Sequence, residues 1–391
     1  MRVILFTGKG GVGKTTAAAG TAVSAAADGN RTLVLSTDAA HSLADAFGVT
    51  VGSEPTPVAE RLFVQQVDAQ QRFERSWAEI QGYLRTVVEA GGLDPLTAEE
   101  ITVLPGAEEV LALLELRSQV LSGKWDVLVV DCAPTAETLR LLALPEVLGW
   151  YMDRVLPAER RIVRSLRPVL AKAAGVPMPQ DNVLAAVERL HRELEEVQAL
   201  LTGDDASVRL VLTPETVVVA EARRSLTTLS LFGYRVDGVV ANRVFPSDDA
   251  DAWRSTWVAA QAVVLAEVEQ SFIGLPVWRS SYRASEPVGL PALQEFAREA
   301  YGTDDPLAPP TGESPMTVTR TPSGATLRIA LPFVAKSDID LARHGDELVV
   351  TVGSYRRLIA LPGALGKHAV AGASMDHGAL RVRFRADRED V

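Results

Sequence analysis

The chain opens on a short apolar run, Val3-Ile4-Leu5-Phe6. A glycine-dense stretch, Gly8 to Gly13, and an alanine-rich stretch, Ala17 to Ala27, follow it. That order predicts a strand, a tight loop and a helix. Further runs of leucine and β-branched residues recur at 32–36, 62–67, 127–130, 208–212 and 236–241. They are mostly continuous rather than alternating, as expected for parallel strands covered on both faces. With helical stretches between them, they predict a doubly wound α/β domain. Two intervals, from about 70 to 120 and from about 146 to 201, lack strand character. The second ends in a heptad-like row, Val183, Val187, Leu190, Leu194, Val197 and Leu201, with charged residues such as Glu188 and Arg192 on the other face. Such a stripe packs on a core. Together the two intervals predict a helical subdomain.

The pattern changes near Thr303. Residues 303–315 are polar and proline-rich, and read as a semi-extended linker. Beyond them the hydrophobic period becomes two. Leu327, Ile329 and Leu331 share one face, as do Leu348, Val350 and Val352. Leu380, Val382 and Phe384 alternate with three arginines. This predicts a small antiparallel all-β domain over 316–391, able to fold on its own core. The expected division is therefore 1–302, a linker at 303–315, and 316–391.

Length agrees, since 391 residues exceed one ordinary domain. The net charge of −11 disfavours nucleic acid as a partner. One cysteine, Cys132, permits no internal disulfide. The leading apolar run reads as a strand rather than a signal peptide, and no run is long enough to span a bilayer. A soluble, cytoplasmic protein is expected.

The glycine-dense loop carries the candidate chemistry. Gly8-Lys9-Gly10-Gly11-Val12-Gly13-Lys14-Thr15-Thr16 lies between strand and helix, the context of a P-loop. Its backbone N–H groups and the helix N-terminus would cradle phosphate. Lys14 would reach the β- and γ-phosphates, and the Thr15 hydroxyl would ligate Mg²⁺. Asp131 ends the run Val127–Val130, where a carboxylate can hold Mg²⁺ through water. Ala133-Pro134-Thr135 would form a switch loop beside it. Asp38 lies just beyond the second run. A carboxylate there either orients the attacking water or caps the helix that begins nearby.

Lys9 makes the loop resemble the deviant Walker A loop of the ParA, MinD, nitrogenase iron protein and ArsA group. Three motifs in order, the P-loop, Ser36–Phe47 and Asp131–Arg140, resemble the ArsA family over roughly residues 1–302. That family holds arsenite-pump ATPases and tail-anchored-protein targeting ATPases. The resemblance implies a Mg²⁺-dependent ATPase acting as a homodimer. Lys9 would cross to the partner's nucleotide, and Asp38 would be the hydrolytic residue. Asn242 would contact adenine, Pro214 and Glu215 would line the base pocket, and the segment 275–293 would form its other wall. Residues 316–386 resemble the α-crystallin domain of small heat-shock proteins, which accompanies one branch of the family.

The chain departs from the better-known relatives. A single cysteine supplies neither the converging thiolates of an arsenite site nor the CxxC pairs of a zinc-clamped dimer. Glu137 stands where the pump family usually has histidine. The expected function is a nucleotide-switched ATPase that binds and releases an apolar client. That client would be a membrane-protein segment or a lipid-like ligand, with transient contact to a membrane-protein partner. The alternatives are an energising subunit of an anion transporter and a ParA- or MinD-like positioning ATPase.

Overall fold

The computed structural model describes residues 1–37, 42–67, 107–132, 181–248, 251–321, 324–361, 365 and 368–385. The chain divides into two compact units. One comprises 1–66, 125–139 and 201–391; the other comprises 67–124 and 140–200.

An eight-stranded sheet organises the first unit. Its strands are β1 (Arg2–Thr7), β2 (Thr32–Ser36), β3 (Thr56–Ala59), β4 (Leu62–Gln66), β5 (Val127–Asp131), β6 (Ala206–Leu212), β7 (Val236–Val244) and β8 (Val277–Ser281). The order is β3-β4-β2-β5-β1-β6-β7-β8. All neighbours are parallel except the edge pair β3 and β4. Every residue of β1, β2, β5 and β6 is buried, which is why these strands read as largely apolar runs. The sequence did not predict the two edge strands. β3 contains Pro57, and β8 has only Val277 and Trp278 before Arg279, Ser280 and Ser281, so neither presents a continuous run.

Helix α1 (Lys14–Ala27) packs on the sheet through alanines at 17, 18, 19, 22 and 25, all inaccessible to solvent. Small side chains bring the helix close. A Cβ at Gly20 would press into the Phe296 ring of α7 (Leu290–Tyr301). Among the described residues, the other α-helices of this unit are α2 (Ser42–Phe47), α5 (Thr216–Leu231) and α6 (Ala252–Ser271).

A buried polar cluster closes the end of the sheet where β1 begins. The guanidinium of Arg209, only 1% exposed, donates to both carboxylate oxygens of Asp237 at 3.1 and 2.9 Å. It also donates to Tyr301 Oη at 3.1 Å and to the Pro306 carbonyl at 2.8 Å. Arg2 donates to the same carboxylate at 2.9 Å and to the Leu307 carbonyl at 3.3 Å. Burial opposes the charge on Arg209, yet Asp237 and Tyr301 outweigh it and raise its pKa above the ordinary value. The cluster also fastens the start of the proline-rich stretch to the sheet.

The C-terminal strands form a sandwich. One antiparallel sheet runs β14 (Ala369–Asp376), β15 (Ala379–Arg385), β10 (Gly324–Ala330), β9 (Met316–Thr321). The other runs β11 (Ile339–His344), β12 (Glu347–Val352), β13 (Tyr355–Ala360). The alternation predicted from sequence holds: Leu327, Ile329, Leu331, Leu348, Val350, Leu380, Val382 and Phe384 point inward, and Arg381, Arg383 and Arg385 outward. The sandwich core also takes in Leu231, the last residue of α5.

Of the second unit, two helices are described, α3 (Ala107–Leu121) and α4 (Asp181–Leu201). Leu194 and Val197 of the heptad-like row on α4 are fully buried. Arg117 of α3 pairs with Glu196 of α4, with its Nε donating at 2.6 Å.

Candidate active site

The site forms where β1 ends. Thr7 leads into the P-loop, and β1 is flanked by β5 on one side and β6 on the other. Ligands of open α/β sheets bind at such carboxyl ends. The loop has no room for side chains at two points. A Cβ on Gly8 would run into the Val211 carbonyl oxygen of β6, and one on Gly13 into the Asn242 amide. Gly13 also sits at φ 91° as the N-cap of α1.

The helix starts at Lys14, three residues before the alanine run, with the Ala17 N–H on the Gly13 carbonyl at 3.0 Å. Lys14, Thr15 and Thr16 are therefore its first turn, whose N–H groups have no partner within the helix. Their polar side chains hid this start from the hydrophobic pattern. Lys14 is 7% exposed and its ammonium donates to the Lys9 carbonyl at 3.4 Å. Lys9 itself is half-buried, and Gly10 and Gly11 face solvent.

Two hydroxyl oxygens meet beside this turn. Thr15 Oγ1 and Ser42 Oγ, at the start of α2, lie 3.0 Å apart. Asp131 is buried at the end of β5, in register with Phe6 of β1, and its carbonyl accepts from the Thr37 N–H at 3.0 Å. Hydroxyls and carboxylates are the hard oxygen donors that Mg²⁺ takes. Asp38, the switch segment 133–135 and Glu137 lie outside the described residues.

A cleft of about 930 Å³ extends from the P-loop past Ser42 and Asp45 to Arg243, Phe245 and residues 280–288. The expected far wall at 275–293 thus contributes its middle portion. Asn242 holds the loop: its Nδ2 donates to the Val12 carbonyl at 2.9 Å, and its Oδ1 accepts from the Arg243 N–H at 2.9 Å. Arg243 follows with φ 58°, a left-handed conformation unusual for arginine. It sits where the pairing of β7 with β8 shifts register. Pro214 is buried and Glu215 exposed at the turn from β6 into α5, with Thr213 Oγ1 donating to the Glu215 carboxylate at 3.0 Å. Sequence reasoning missed Ser42, Phe245 and Arg254 as cleft residues. Ser42 lay inside a motif, and no local pattern marks the other two. Tyr282 fell inside the expected wall segment without being singled out.

Residues 1–302 match the family model described as an anion-transporting ATPase, ArsA type. Residues 322–384 match the HSP20-like domain found in ArsA. The chain belongs to the ArsA ATPase family. A putative arsenical pump-driving ATPase of Chlorobaculum tepidum is 38% identical, over 93% of this chain and 91% of its own length. An uncharacterized protein of Streptomyces coelicolor is 39% identical over 100% of this chain and 98% of its own. An ATPase ASNA1 homolog of Trypanosoma cruzi is 29% identical over 77% and 92%. As an ArsA ATPase, the protein hydrolyses ATP to ADP and phosphate. Among the described residues, no helix is long and apolar enough to cross a membrane.

Proposed function

We propose that this ArsA ATPase is a cytoplasmic, nucleotide-switched homodimer that couples ATP hydrolysis to binding and release of an apolar client. The carrying observation is the P-loop at the end of β1, with Lys14 and Thr15 in the first turn of α1 and Ser42 beside them. Gly8 to Thr16 surround the phosphates with N–H groups, and Lys14 turns from the Lys9 carbonyl to the γ-phosphate. Thr15, and Asp131 through water, would hold Mg²⁺. When bound, that ion neutralises charge on the transferring phosphoryl group. Asp38 orients the attacking water. Lys9 of each chain completes the partner's site, adding a cation where charge develops.

Asn242 contacts adenine while it holds the loop. Its amide carries two protons and its carbonyl two lone pairs, and the bonds to Val12 and Arg243 use one of each. Pro214 and Glu215 line the same pocket. The client binds the helical subdomain. Of the two segments expected to form it, about 70–120 and 146–201, residues 70–106 and 146–180 lie outside the described residues.

Several relatives are named for driving an arsenical pump, which favours an anion-transport reading. Cys132 opposes the metalloid form of it. The thiol is 4% exposed and donates to the Val130 carbonyl at 3.8 Å, and soft metalloids need several converging thiolates. Other anions fit that second reading equally.

Mixing Lys9→Ala chains with Asp38→Asn chains tests the shared site. One composite site of each heterodimer keeps both groups, so activity should exceed the sum of the separate variants. Demonstrated heterodimers with no such gain would remove Lys9 from the partner's site.

A further inference from the structure

Three exposed arginines stand in a row on the outward face of the sandwich. Arg381, Arg383 and Arg385 take alternate positions of β15. At the rise of a strand their Cα atoms follow one another at about 6.7 Å. Arg328 of β10 lies directly opposite Arg381, and Thr326 opposite Arg383. On the other side, Ser374 and Gly372 of β14 oppose Arg381 and Arg383. Gly372 leaves room for its neighbour: Arg383 Nη2 lies 3.4 Å from where a Cβ would stand.

Neither sheet stability nor edge protection explains the row. Like charges directly opposite, as in Arg328 and Arg381, destabilise a sheet. The outward positions of β9 are threonines 317, 319 and 321, a neutral choice equally open to β15. Charges that guard a sheet belong on its edge strands. β15 is an inner strand, between β14 and β10. Nearby acids leave the row positive. Asp376 lies 3.5 Å from Arg381, and Glu313 3.5 Å from Arg328. Both acids are exposed, and such pairs are weak. Arg383 and Arg385 have no ion pair or hydrogen bond among the described residues.

We propose that Arg381, Arg383 and Arg385, with Arg328 beside them, dock an extended acidic segment of a partner protein. Spacing selects an extended chain. Its side chains repeat every two residues, so carboxylates at alternate positions match the guanidiniums in step. Each guanidinium offers a fork of donors that a carboxylate accepts with both oxygens. Charge selects a short segment over a larger polyanion. The whole chain carries −11, yet residues 316–391 hold 11 arginines and lysines against 8 aspartates and glutamates. A bilayer or a nucleic acid presents its negative charge to the acidic remainder as well, which repels it. A short segment meets the row alone, since salt confines its field to about 8 Å. The proposal is independent of the ATPase cycle and of any dimer.

Fluorescence anisotropy of the full chain with a labelled peptide of alternating threonine and glutamate tests this. The wild type should bind it, more weakly as sodium chloride is raised. A peptide with the same residues sorted into two blocks should bind about tenfold more weakly. The Arg381→Gln/Arg383→Gln/Arg385→Gln variant should lose about thirtyfold or more in affinity for the alternating peptide. Its circular dichroism and ATP turnover should match the wild type, which shows that it folds. If that variant does not fold, the two peptides on the wild type decide. Equal affinity for them would mean that net charge alone is read, and overturns the proposal. A wild type that does not bind the alternating peptide overturns it too, as does a folded variant that binds like the wild type. Vesicles of phosphatidylserine and phosphatidylcholine, and oligothymidylate, are the competing arms. Binding to either that exceeds peptide binding and is lost in the variant assigns the face to a membrane or to nucleic acid instead.

Discussion

The buried guanidinium of Arg357, on strand β13 of the sandwich, donates a hydrogen bond to the main-chain carbonyl of Leu231 at the C-terminus of α5. The last carbonyls of a helix lack partners within it and carry partial negative charge, so a buried cation there satisfies both needs. The Leu231 side chain meanwhile lies in the sandwich core. Thr227, one turn earlier on α5, donates to the Pro332 carbonyl at 2.6 Å. Phe333 packs edge-on against Phe272 of the ATPase core, with centroids 6.4 Å apart. The sandwich thus caps a helix whose other end is N-capped by Glu215, a residue of the proposed base pocket.

Arg357→Ala should therefore destabilise the whole protein, not the sandwich alone. It strands a buried carbonyl at a cost of about 1–3 kcal/mol. Leu231→Ala should cost about 2–5 kcal/mol through the cavity it leaves. A chain ending at Gly302 should expose Leu231 and aggregate, although the sequence pattern gives 316–391 a core of its own. Urea midpoints and light scattering decide this. A truncated chain as soluble and as stable as the full chain would show the docking to be incidental.

The reason the sequence hid this contact is instructive. Central strands were legible because both faces are buried and most positions are apolar. β8 was not, because this edge strand leaves Arg279 exposed and ends on two serines. The P-loop was legible because its residue types follow from backbone geometry, as the collision of a Gly13 Cβ with Asn242 illustrates. Arg209 was not: a charged residue inside a buried strand finds Asp237 and Tyr301 at positions no local period connects. Arg357 and Leu231, 126 residues apart, belong to the same class. Local pattern reports how a segment is covered, and only the fold reports by what.

Asn242 offers a sharper test of the nucleotide pocket. If its amide both clasps the Val12 carbonyl and reads adenine, Asn242→Ala should weaken ATP binding more than GTP binding. Preference for ATP should fall about tenfold or more, as when a site loses a hydrogen bond that discriminates substrates. Competition with a fluorescent nucleotide measures both affinities. Equal losses for the two nucleotides would leave Asn242 as a clasp only.

Arsenite and antimonite should not stimulate ATP hydrolysis at micromolar concentration. Cys132 sits beside Asp131 in an apolar, buried setting where the reactive thiolate is disfavoured. Steady-state turnover with and without metalloid settles the point. Activation that Cys132→Ser abolishes would restore the metalloid reading.

Acid should loosen the far wall of the cleft. Glu299 of α7 accepts from the Ser281 N–H at 2.6 Å and pairs with Arg283, which also reaches Glu295 at 3.0 Å. Burial alone would raise the Glu299 pKa, but the Ser281 and Arg283 contacts outweigh it. The folded value lies below the ordinary 4.5. A carboxylate depressed in the folded state contributes stability that is fully present above its unfolded pKa. That contribution is lost as pH falls through the folded pKa. Glu299→Gln keeps an acceptor for Ser281 and abolishes the titration. The wild type should thus be the more stable of the two, by a constant margin, from about pH 6 to 8. The margin should shrink below about pH 4.5, as the wild-type side chain takes up its proton. Other carboxylates titrate in both proteins and cancel from the difference. Thermal midpoints of the pair across this range measure it. A margin that grows on acidification would mean that Glu299 is held as the neutral acid and that its pairing with Arg283 contributes nothing.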